Sequence, residues 1–330
     1  MNIRDVAEKA GVSISTVSRV VNGSELVKRP TRSRVLRAMH ELNYYPNLNA
    51  RSLAGGRSRI LGIVVSNLQN PFFLDIFCSF EARALQQGYE VLLADTGYRT
   101  DRLKAGIRLM IGRRVGGLAA IVSEMDPSIQ EELVRVGIPA VFYDVATPQK
   151  KISVIRLNYR HGMRQAVEYL YSLGHRRMAY IGYPMPLGPT EERKSAFLET
   201  MTAHSASSFT VAAAADGFVG GQEATRELLR SGFNPTAVLC VNDITAVGVL
   251  RELRNQRISV PKEISVIGFD NIPLAEFSSP SLTTLDIPRQ RIGHLIFDLL
   301  APSHSAVRSI GRETMISPEL IIRESTGPVP

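Results

Sequence analysis

The chain has 330 residues, 44% hydrophobic and 21% charged, with a net charge of +8. This is too long for one small core and is the composition of a globular protein, not of a disordered or fibrous one. No apolar run approaches the ~20 residues that span a bilayer, and the charged start at Arg4, Asp5 and Glu8 is unlike a signal peptide, so no membrane partner and a cytoplasmic location are expected. Cys78 and Cys240 are solitary, in an apolar helix pattern and an apolar strand pattern. No Cys/His spacing suits a metal, and both cysteines are expected to be buried packing residues.

The charge is uneven. The first 59 residues carry eleven Lys/Arg against four acids, so +7 of the net +8 sits there and +1 in the remaining 271 residues. Within that basic segment, residues 2 to 23 read as two short helices around a glycine turn. Asn2 can cap the first, Val6, Ala7 and Ala10 form its apolar face, Gly11 closes it, and Ser13 or Ser15 can open the second. In the second helix Val17, Val20 and Val21 face inward at i, i+3, i+4, which leaves Ser15, Thr16, Ser18 and Arg19 pointing outward. Hydroxyls and an arginine on an exposed helix suit phosphates and base edges. A helical hairpin with a merely solvated face is the alternative, and the local basic charge argues for nucleic acid.

A third helix is predicted from about Thr31 to Leu42, with Val35, Leu36, Met39 and Leu42 covering the first two. Then come Tyr45-Pro46, the octet Asn47 to Ala54, and the break Gly55-Gly56-Arg57-Ser58. The octet is too short to be a stable helix alone. It reads either as a hinge ordered by DNA and a partner subunit or as a plain linker.

From Ile60 the pattern becomes short β-branched runs alternating with amphipathic stretches. Strands are predicted at Leu61–Val65, Val91–Asp95, Leu118–Val122, Ala140–Tyr143, Met178–Ile181, Val211–Ala214, Val238–Val241 and Val266–Phe269. Helices are predicted at Phe73–Gln87, Arg102–Arg113, Ser128–Val136, Gly162–Leu173, Glu192–Ala203, Gly221–Ser231 and Thr245–Asn255. Such alternation means α/β architecture, parallel sheets with helices on both faces. Ligands of these sheets bind beyond the carboxyl ends of the strands. The polar residues there are Ser66, Asn67, Asp95, Asp144, Asn158, Asn242, Asp243, Asp270 and Asn271, with Arg193 at a helix start. Together with the pair Phe72-Phe73 they suit a small polyhydroxylated or heterocyclic ligand, although Asn158 and Asp243 could equally cap the next helix.

These residues resemble the lactose/galactose repressor family of bacterial transcription regulators over nearly the whole chain. Asp5-Val-Ala-Glu-Lys-Ala-Gly-Val-Ser and Thr16-Val-Ser-Arg-Val-Val-Asn-Gly are similar to its DNA-binding signature, Tyr45-Pro-Asn and Ala50-Arg-Ser-Leu to its hinge, and Asn70-Pro-Phe-Phe, Gly174-His-Arg, Asn242-Asp and Gly268-Phe-Asp-Asn to its core markers. The resemblance implies an all-α helix-turn-helix head over 1–46, a hinge and linker over 47–59, and a core over 60–330. That core would be two doubly wound parallel-sheet subdomains, periplasmic-binding-protein-like, of about 60–158 plus 287–316 and 159–286 plus 317–330.

Carried over residue by residue, the resemblance implies that Ile14, Ser15, Ser18 and Arg19 meet the major groove while Asn2, Thr16 and Asn22 position the backbone. Asn47, Ala50, Arg51 and Leu53 belong to the hinge, with Leu53 a wedge into the minor groove. Phe72, Phe73, Asp144, Arg193, Asn242 and Asp270 are the implied effector contacts. The partners implied are a palindromic operator, a small molecule of carbohydrate type and a second copy of the chain. The tail Thr326-Gly-Pro-Val-Pro has no leucine heptad, so a homodimer is expected. Ile287 and Asn158 depart from the family pattern, in which Gln and Asp are common, and Lys28-Arg29-Pro30 replaces the usual Ser-containing start of the third helix, which shifts the expected cap to Thr31.

The function expected is thus a repressor whose operator affinity is set by a bound sugar or sugar derivative, with inducer and corepressor both open. A purine-dependent repressor is the alternative within the family. A solute-binding protein would have no use for the head. Against an α/β enzyme, no Gly-x-Gly-x-x-Gly after a strand, phosphate loop, nucleophile elbow or metal cluster is legible. No catalytic residue, metal or cofactor is expected.

Overall fold

The computed structural model describes residues 2–21, 24, 26–45, 58–183, 185, 187–301 and 311–329. The chain divides into two compact units, Met1–Ser58 and Arg59–Pro330.

The first unit holds α1 (Ile3–Ala10), α2 (Ile14–Val21) and α3 (Arg29–Glu41). Asn2 caps α1 as expected, its Oδ1 accepting from the backbone N–H groups of Arg4 (2.8 Å) and Asp5 (3.3 Å), while Asp5 accepts in return from the Asn2 N–H at 2.8 Å. Two otherwise orphaned donors are satisfied reciprocally. Gly11 ends the helix at φ 61°, the left-handed turn that costs glycine least. Ser13 is the residue that opens α2, its Oγ accepting from Thr16 N at 3.2 Å. The third helix starts at Arg29, ahead of the expected Thr31, and Lys28 at its cap makes no side-chain bond. Pro30 explains the difference: its fixed φ suits a first turn and it has no N–H to leave unpaired. Val6, Ala7, Ala10, Val17, Val20, Val35 and Ala38 close the core of this unit.

The second unit runs β1 (Ile60–Val65), α4 (Pro71–Gln86), β2 (Glu90–Asp95), α5 (Thr100–Gly112), β3 (Gly117–Ile121), α6 (Pro127–Val136), β4 (Ala140–Tyr143) and β5 (Ile152–Leu157). It continues with α7 (Tyr159–Ser172), β6 (Arg177–Gly182), α8 (Gly188–Ala203), β7 (Ser207–Ala212), α9 (Gly217–Arg230), β8 (Ala237–Cys240), α10 (Asp243–Asn255) and β9 (Ser265–Asp270). It ends with α11 (Pro273–Phe277), β10 (Thr283–Asp286), α12 (Arg289–Leu300), β11 (Glu313–Ile316) and β12 (Glu319–Ile321).

The strands form two six-stranded sheets, ordered β11-β5-β4-β3-β1-β2 and β12-β10-β9-β8-β6-β7. All neighbours pair in parallel except β10 with β12. The register is regular: Ile63 lies opposite both Leu93 and Ala119, and Ala179 opposite both Phe209 and Val238. Each sheet repeats one winding, its first strand flanked by the second and third, so strand order reverses at β1 and at β6. Such switch points open a crevice at the strand ends. The chain crosses from the first sheet to the second after β5, returns after β10 to add α12 and β11, and crosses again before β12. Both sheets contribute to one apolar cluster, including Ile63, Phe80, Tyr180, Leu239 and Phe269.

The strands β5, β10, β11 and β12 and the helices α11 and α12 were not legible in the sequence. Ser153 and Arg156 interrupt the apolar run of β5, β10 begins with two threonines, and β11 and β12 have only four and three residues. β7 begins at Ser207, ahead of the expected Val211. The expectation that both cysteines are buried holds for Cys240 alone, since Cys78 is exposed. Ile76 and Phe80 take the inward positions of α4, which turns Cys78 outward.

Backbones approach closely where helices meet. A Cβ on Gly221 of α9 would lie 2.3 Å from the Thr245 carbonyl oxygen, and one on Gly248 of α10 would lie 2.2 Å from that of Phe218. Only glycine lets these two helices touch main chain to main chain.

Candidate functional site

On α2, Ile14 is exposed at 45%, as are Ser15 and Arg19, whereas Thr16 and Ser18 are half-buried. Ser13 Oγ lies 2.8 Å from Ser15 Oγ and 2.9 Å from Thr16 Oγ1, which fixes the hydroxyls at the start of the helix. Arg4, Arg29, Arg34 and Arg37 are further exposed cations of this unit. Lys9 of this unit pairs with Glu41 at 2.9 Å. Asn2 is spent on its capping box, though a cap at a helix N-terminus also faces an anion well. Asn22, Asn47, Ala50, Arg51 and Leu53 lie outside the described residues.

In the second unit a cleft lies between the carboxyl ends of the two sheets, enclosing about 530 Å³ including its opening. Phe72, Phe73, Arg193, Asn242 and Asp270 of the expected residues line it, along with Tyr98, Tyr143, Tyr159 and Tyr183. The backbone dictates how they arrive. Asn70 caps α4 by accepting from Phe72 N at 3.0 Å, which aims the two phenylalanines into the cleft with ring centroids 5.2 Å apart and nearly perpendicular at 84°. Phe72 also meets Tyr143 at 5.9 Å, and Phe73 meets Tyr98 at 6.4 Å.

Arg193, near the start of α8, is 9% exposed. Its guanidinium carbon stands 4.1 Å from the centre of the Phe269 ring and 4.8 Å from that of Tyr159, two cation–π contacts made with rings that also touch each other. Nη1 donates to the Val241 carbonyl at 2.6 Å and Nη2 to the Tyr159 hydroxyl at 3.4 Å, while Nε is buried without a protein partner. Burial disfavours this charge, but Tyr159 and Asp270 hold Arg193 protonated.

Asp270 ends β9 in a strained backbone conformation, φ 111°, and is 3% exposed. Burial pushes its pKa up to about 7, against the pull of Arg193 and Arg289. Arg289 donates to the Asp270 carbonyl, donates to the Asn271 carbonyl at 2.7 Å and pairs with Asp75 at 2.9 Å. It thereby ties the turn after β9 to α4 of the first sheet. Asn242 splits its amide: Oδ1 caps α10 by accepting from Thr245 N at 2.8 Å, and the residue still lines the cleft.

Asp144 does not line it. The Asp144 carboxylate accepts a hydrogen bond from Tyr159 and another from Leu157 N at 3.0 Å, so it positions the tyrosine from behind. Burial raises its pKa to about 6. Asn158 caps α7, accepting from His161 N at 3.1 Å, and Ile287 is buried away from the lining. Asp243 does not cap its helix but accepts from Thr284 Oγ1 (2.6 Å) and Ile272 N (2.8 Å), pinning β10 to the turn after β9. Asn271 serves the same turn through Asp286 (2.7 Å) and Arg323 (2.8 Å). Asp95 accepts from Leu68 N at 2.7 Å, and Ser66 donates to Glu124 at 2.6 Å. The lining tyrosines carry neither a carboxylate nor an amide, so the polar pattern of the sequence does not single them out. Tyr143 ends a predicted strand and Tyr183 follows another, so position alone could have found them.

A hydrogen bond and a ring contact also join the two halves of the core. Asn67 Nδ2 donates to Asp216 at 3.4 Å, and the rings of Tyr98 and Tyr183 meet at 5.4 Å. Among the described residues no group of three or more His, Cys, Asp or Glu is placed to hold a metal, and no helix is long and apolar enough to cross a membrane.

Residues 2–47 match the model of bacterial regulatory proteins of the lacI family, and residues 167–326 match the periplasmic binding protein-like domain. The HTH-type transcriptional repressor PurR of Vibrio vulnificus is 32% identical over 98% of both chains. The chain belongs to the lacI family. CytR of Escherichia coli, another HTH-type transcriptional repressor, is 32% identical over 99% of this chain and 97% of its own. A crystal structure of the lac repressor dimer bound to operator and the anti-inducer ONPF matches 99% of both chains at 30% identity, with a TM-score of 0.86. The lacI-family protein described here is therefore a DNA-binding transcriptional repressor under small-molecule control, and not an enzyme.

Proposed function

We propose that this lacI-family repressor is a cytoplasmic homodimer that reads a palindromic operator and is controlled by a sugar or sugar derivative in the cleft. Arg193 and Asp270, which both line the cleft with Phe72 and Phe73, carry the ligand assignment. Two charged groups with bidentate reach hold adjacent hydroxyls, and aromatic faces cover the C–H side of a sugar ring. Asn242 supplies a further amide, and Asp144 acts through Tyr159.

Ile14, Ser15, Ser18 and Arg19 are assigned to the major groove, and Asn2, Thr16 and Asn22 to the DNA backbone. Residues 1–46 form the reading head and 47–59 the hinge, where Asn47, Ala50 and Arg51 support Leu53 as the wedge. Residues 60–158 with 287–316, and 159–286 with 317–330, form the two core halves. A ligand that prefers one arrangement of those halves shifts the hinge and hence the operator affinity. A purine corepressor is the second reading, favoured by the many rings that line the cleft, since Asp and Arg also pair with a heterocycle's edge.

Binding of the purified protein to its own upstream DNA against scrambled DNA tests both, with and without sugars, sugar phosphates and nucleobases. Selective binding that one sugar weakens identifies an inducer, and strengthening identifies a corepressor. A response to nucleobases alone would overturn the sugar reading.

Asp270 adds a pH signature. Its folded pKa of about 7 stands above the ordinary 3.8, so the stability linked to it is complete below 3.8 and is lost as pH rises toward 7. A ligand hydroxyl donating to the carboxylate needs the ionised form, so binding expels a proton. Ligand affinity should therefore rise by up to about tenfold per pH unit below 7 and level off above it. Calorimetric titration from pH 5.5 to 8.5 reads this, and Asp270→Asn should flatten the profile. A flat profile in the unsubstituted protein would mean that no ligand donor meets Asp270.

A further inference from the structure

The residues from 60 onward carry a net charge of only +1, yet their cations gather at one end of the first sheet. Taken from β11 across to β1, the strands begin beside Arg312, then Lys150, then Arg135 at the end of α6, then Arg113 and Arg114, then Arg59, all of them exposed. Main-chain bonds between neighbouring strand starts hold these cations in one row. Gly311 N donates to the Gln149 carbonyl at 2.9 Å, Ala140 N to that of Lys151 at 2.9 Å, Leu118 N to that of Pro139 at 2.9 Å and Gly116 N to that of Ile60 at 2.7 Å. At about 4.8 Å from strand to strand, the row is about 19 Å long.

Local structure accounts for only part of this charge. Cations are favourable at the carboxyl end of a helix, which explains Arg113, Arg114 and Arg135 beside the ends of α5 and α6. It does not explain Lys150 and Arg312, which precede strands. Lys151 is spent on the Gly137 carbonyl at 2.7 Å, and Arg59 rests over the Tyr89 ring at 6.0 Å. The side chains of Arg113, Arg114, Arg135, Lys150 and Arg312 make no hydrogen bond or ion pair among the described residues. Of the acids at these strand starts, Glu313 is paired with Arg156 at 3.0 Å, and Glu90 stands beyond the row on the edge strand β2. The second sheet treats its cations differently: at the start of β6, Arg176 donates to the Tyr171 carbonyl and Arg177 to that of Phe233.

A line of uncommitted cations fits a polyanion with regularly spaced charges. Over about 19 Å, one strand of a duplex presents about six phosphates. The second compact unit begins at Arg59, so the segment that leads to the DNA-reading head leaves from the row itself. We propose that this row is a second DNA-contacting surface, which holds backbone phosphates of the duplex that the head reads. It adds affinity without sequence preference, because phosphates carry no base information.

Binding of the full chain to a scrambled duplex of about 40 base pairs, followed by fluorescence anisotropy between about 0.05 and 0.3 M salt, tests this. Each phosphate contact contributes about 0.9 to the slope of log affinity against log salt. Arg113→Gln, Arg114→Gln, Lys150→Gln and Arg312→Gln combined should lower that slope by about 2 or more and weaken binding at about 0.1 M salt by about tenfold or more. The matched control combines Arg230→Gln, Arg254→Gln, Arg257→Gln and Lys262→Gln, exposed cations at the amino end of the second sheet. It removes the same net charge, and its slope should stay within about 1 of the unsubstituted protein. Lys150→Glu with Arg312→Glu reverses the two cations that no helix end explains and should lower the slope by about 2 as well. Unchanged melting temperatures show that the variants are folded. Equal slopes for the row and control variants overturn the proposal and leave an acidic protein surface as the partner that the row's charge fits.

Discussion

Replacing Arg193 with leucine should abolish the ligand response and hold operator affinity at its ligand-free level. The guanidinium bridges the two functions of the cleft wall. On the proposed reading it presents donors to the ligand, and it favours the ionised Asp270 carboxylate while resting against the Phe269 and Tyr159 rings. Leucine fills much of the apolar space but supplies no donor, so ligand affinity should fall by about 100-fold or more, the loss of two charge-assisted bonds worth about 1.5–3 kcal/mol each. Stability should fall too. The Val241 carbonyl loses its partner, and Asp270 loses a cation that favours its ionised form; a buried polar group left unpaired costs about 1–3 kcal/mol. Arg193→Lys keeps the charge without the flat fork, so it should rescue stability more than binding. Calorimetry and thermal unfolding, read beside an operator gel, separate these effects. A variant that still responds to ligand would remove Arg193 from the binding site.

The second large effect is structural. In a solvent-exposed helix, Gly→Ala stabilises by about 1 kcal/mol, but at Gly248 the sign reverses. The new Cβ would lie 2.2 Å from the Phe218 carbonyl oxygen, and the facing Gly221 leaves no slack because its own Cβ position is 2.3 Å from the Thr245 carbonyl oxygen. The α9 and α10 backbones must separate, and the cluster of Ala224, Leu228, Val249 and Leu253 between and beneath them opens. We expect Gly248→Ala to destabilise by about 3 kcal/mol, at the upper end for overpacking. Gly112, at the end of α5, is the matched control, since an added Cβ there meets nothing within 4 Å. Urea unfolding of both variants should move the midpoints in opposite directions. A neutral Gly248→Ala would show that the helices part without cost.

Much of this architecture was legible in residue order. Every expected strand formed, because a parallel sheet covered on both faces writes itself as short β-branched runs. What stayed hidden depended on distant partners. β11 and β12 exist because β5 and β10 offer them free edges. α12 carries three charged or amide residues in its first turn, and its helical pattern means little until α4 is placed beside it. The cleft behaves the same way. Arg193 and Asp270 stand out after a strand or at a helix start, but that Asp144 reaches the cleft only through Tyr159 depends on the chain folding back between residues 15 apart in sequence. The tyrosines of the lining have no motif at all; they were visible only as ordinary aromatic residues near strand ends.

The threefold crossing of the chain between the sheets has a consequence for inheritance. Each half of the core is assembled from non-adjacent stretches, since β11 joins β5 across 155 residues of intervening chain and α12 returns to α4 from beyond β10. A crossover between two related genes that falls inside the core hands each half strands from both parents, and the mismatched edges and helix seats must then be repaired together. A crossover near residue 58, where the two compact units meet, disturbs neither sheet. New pairings of operator and effector should therefore arise by exchanging whole heads, while ligand preference drifts by single substitutions within an intact 59–330 block.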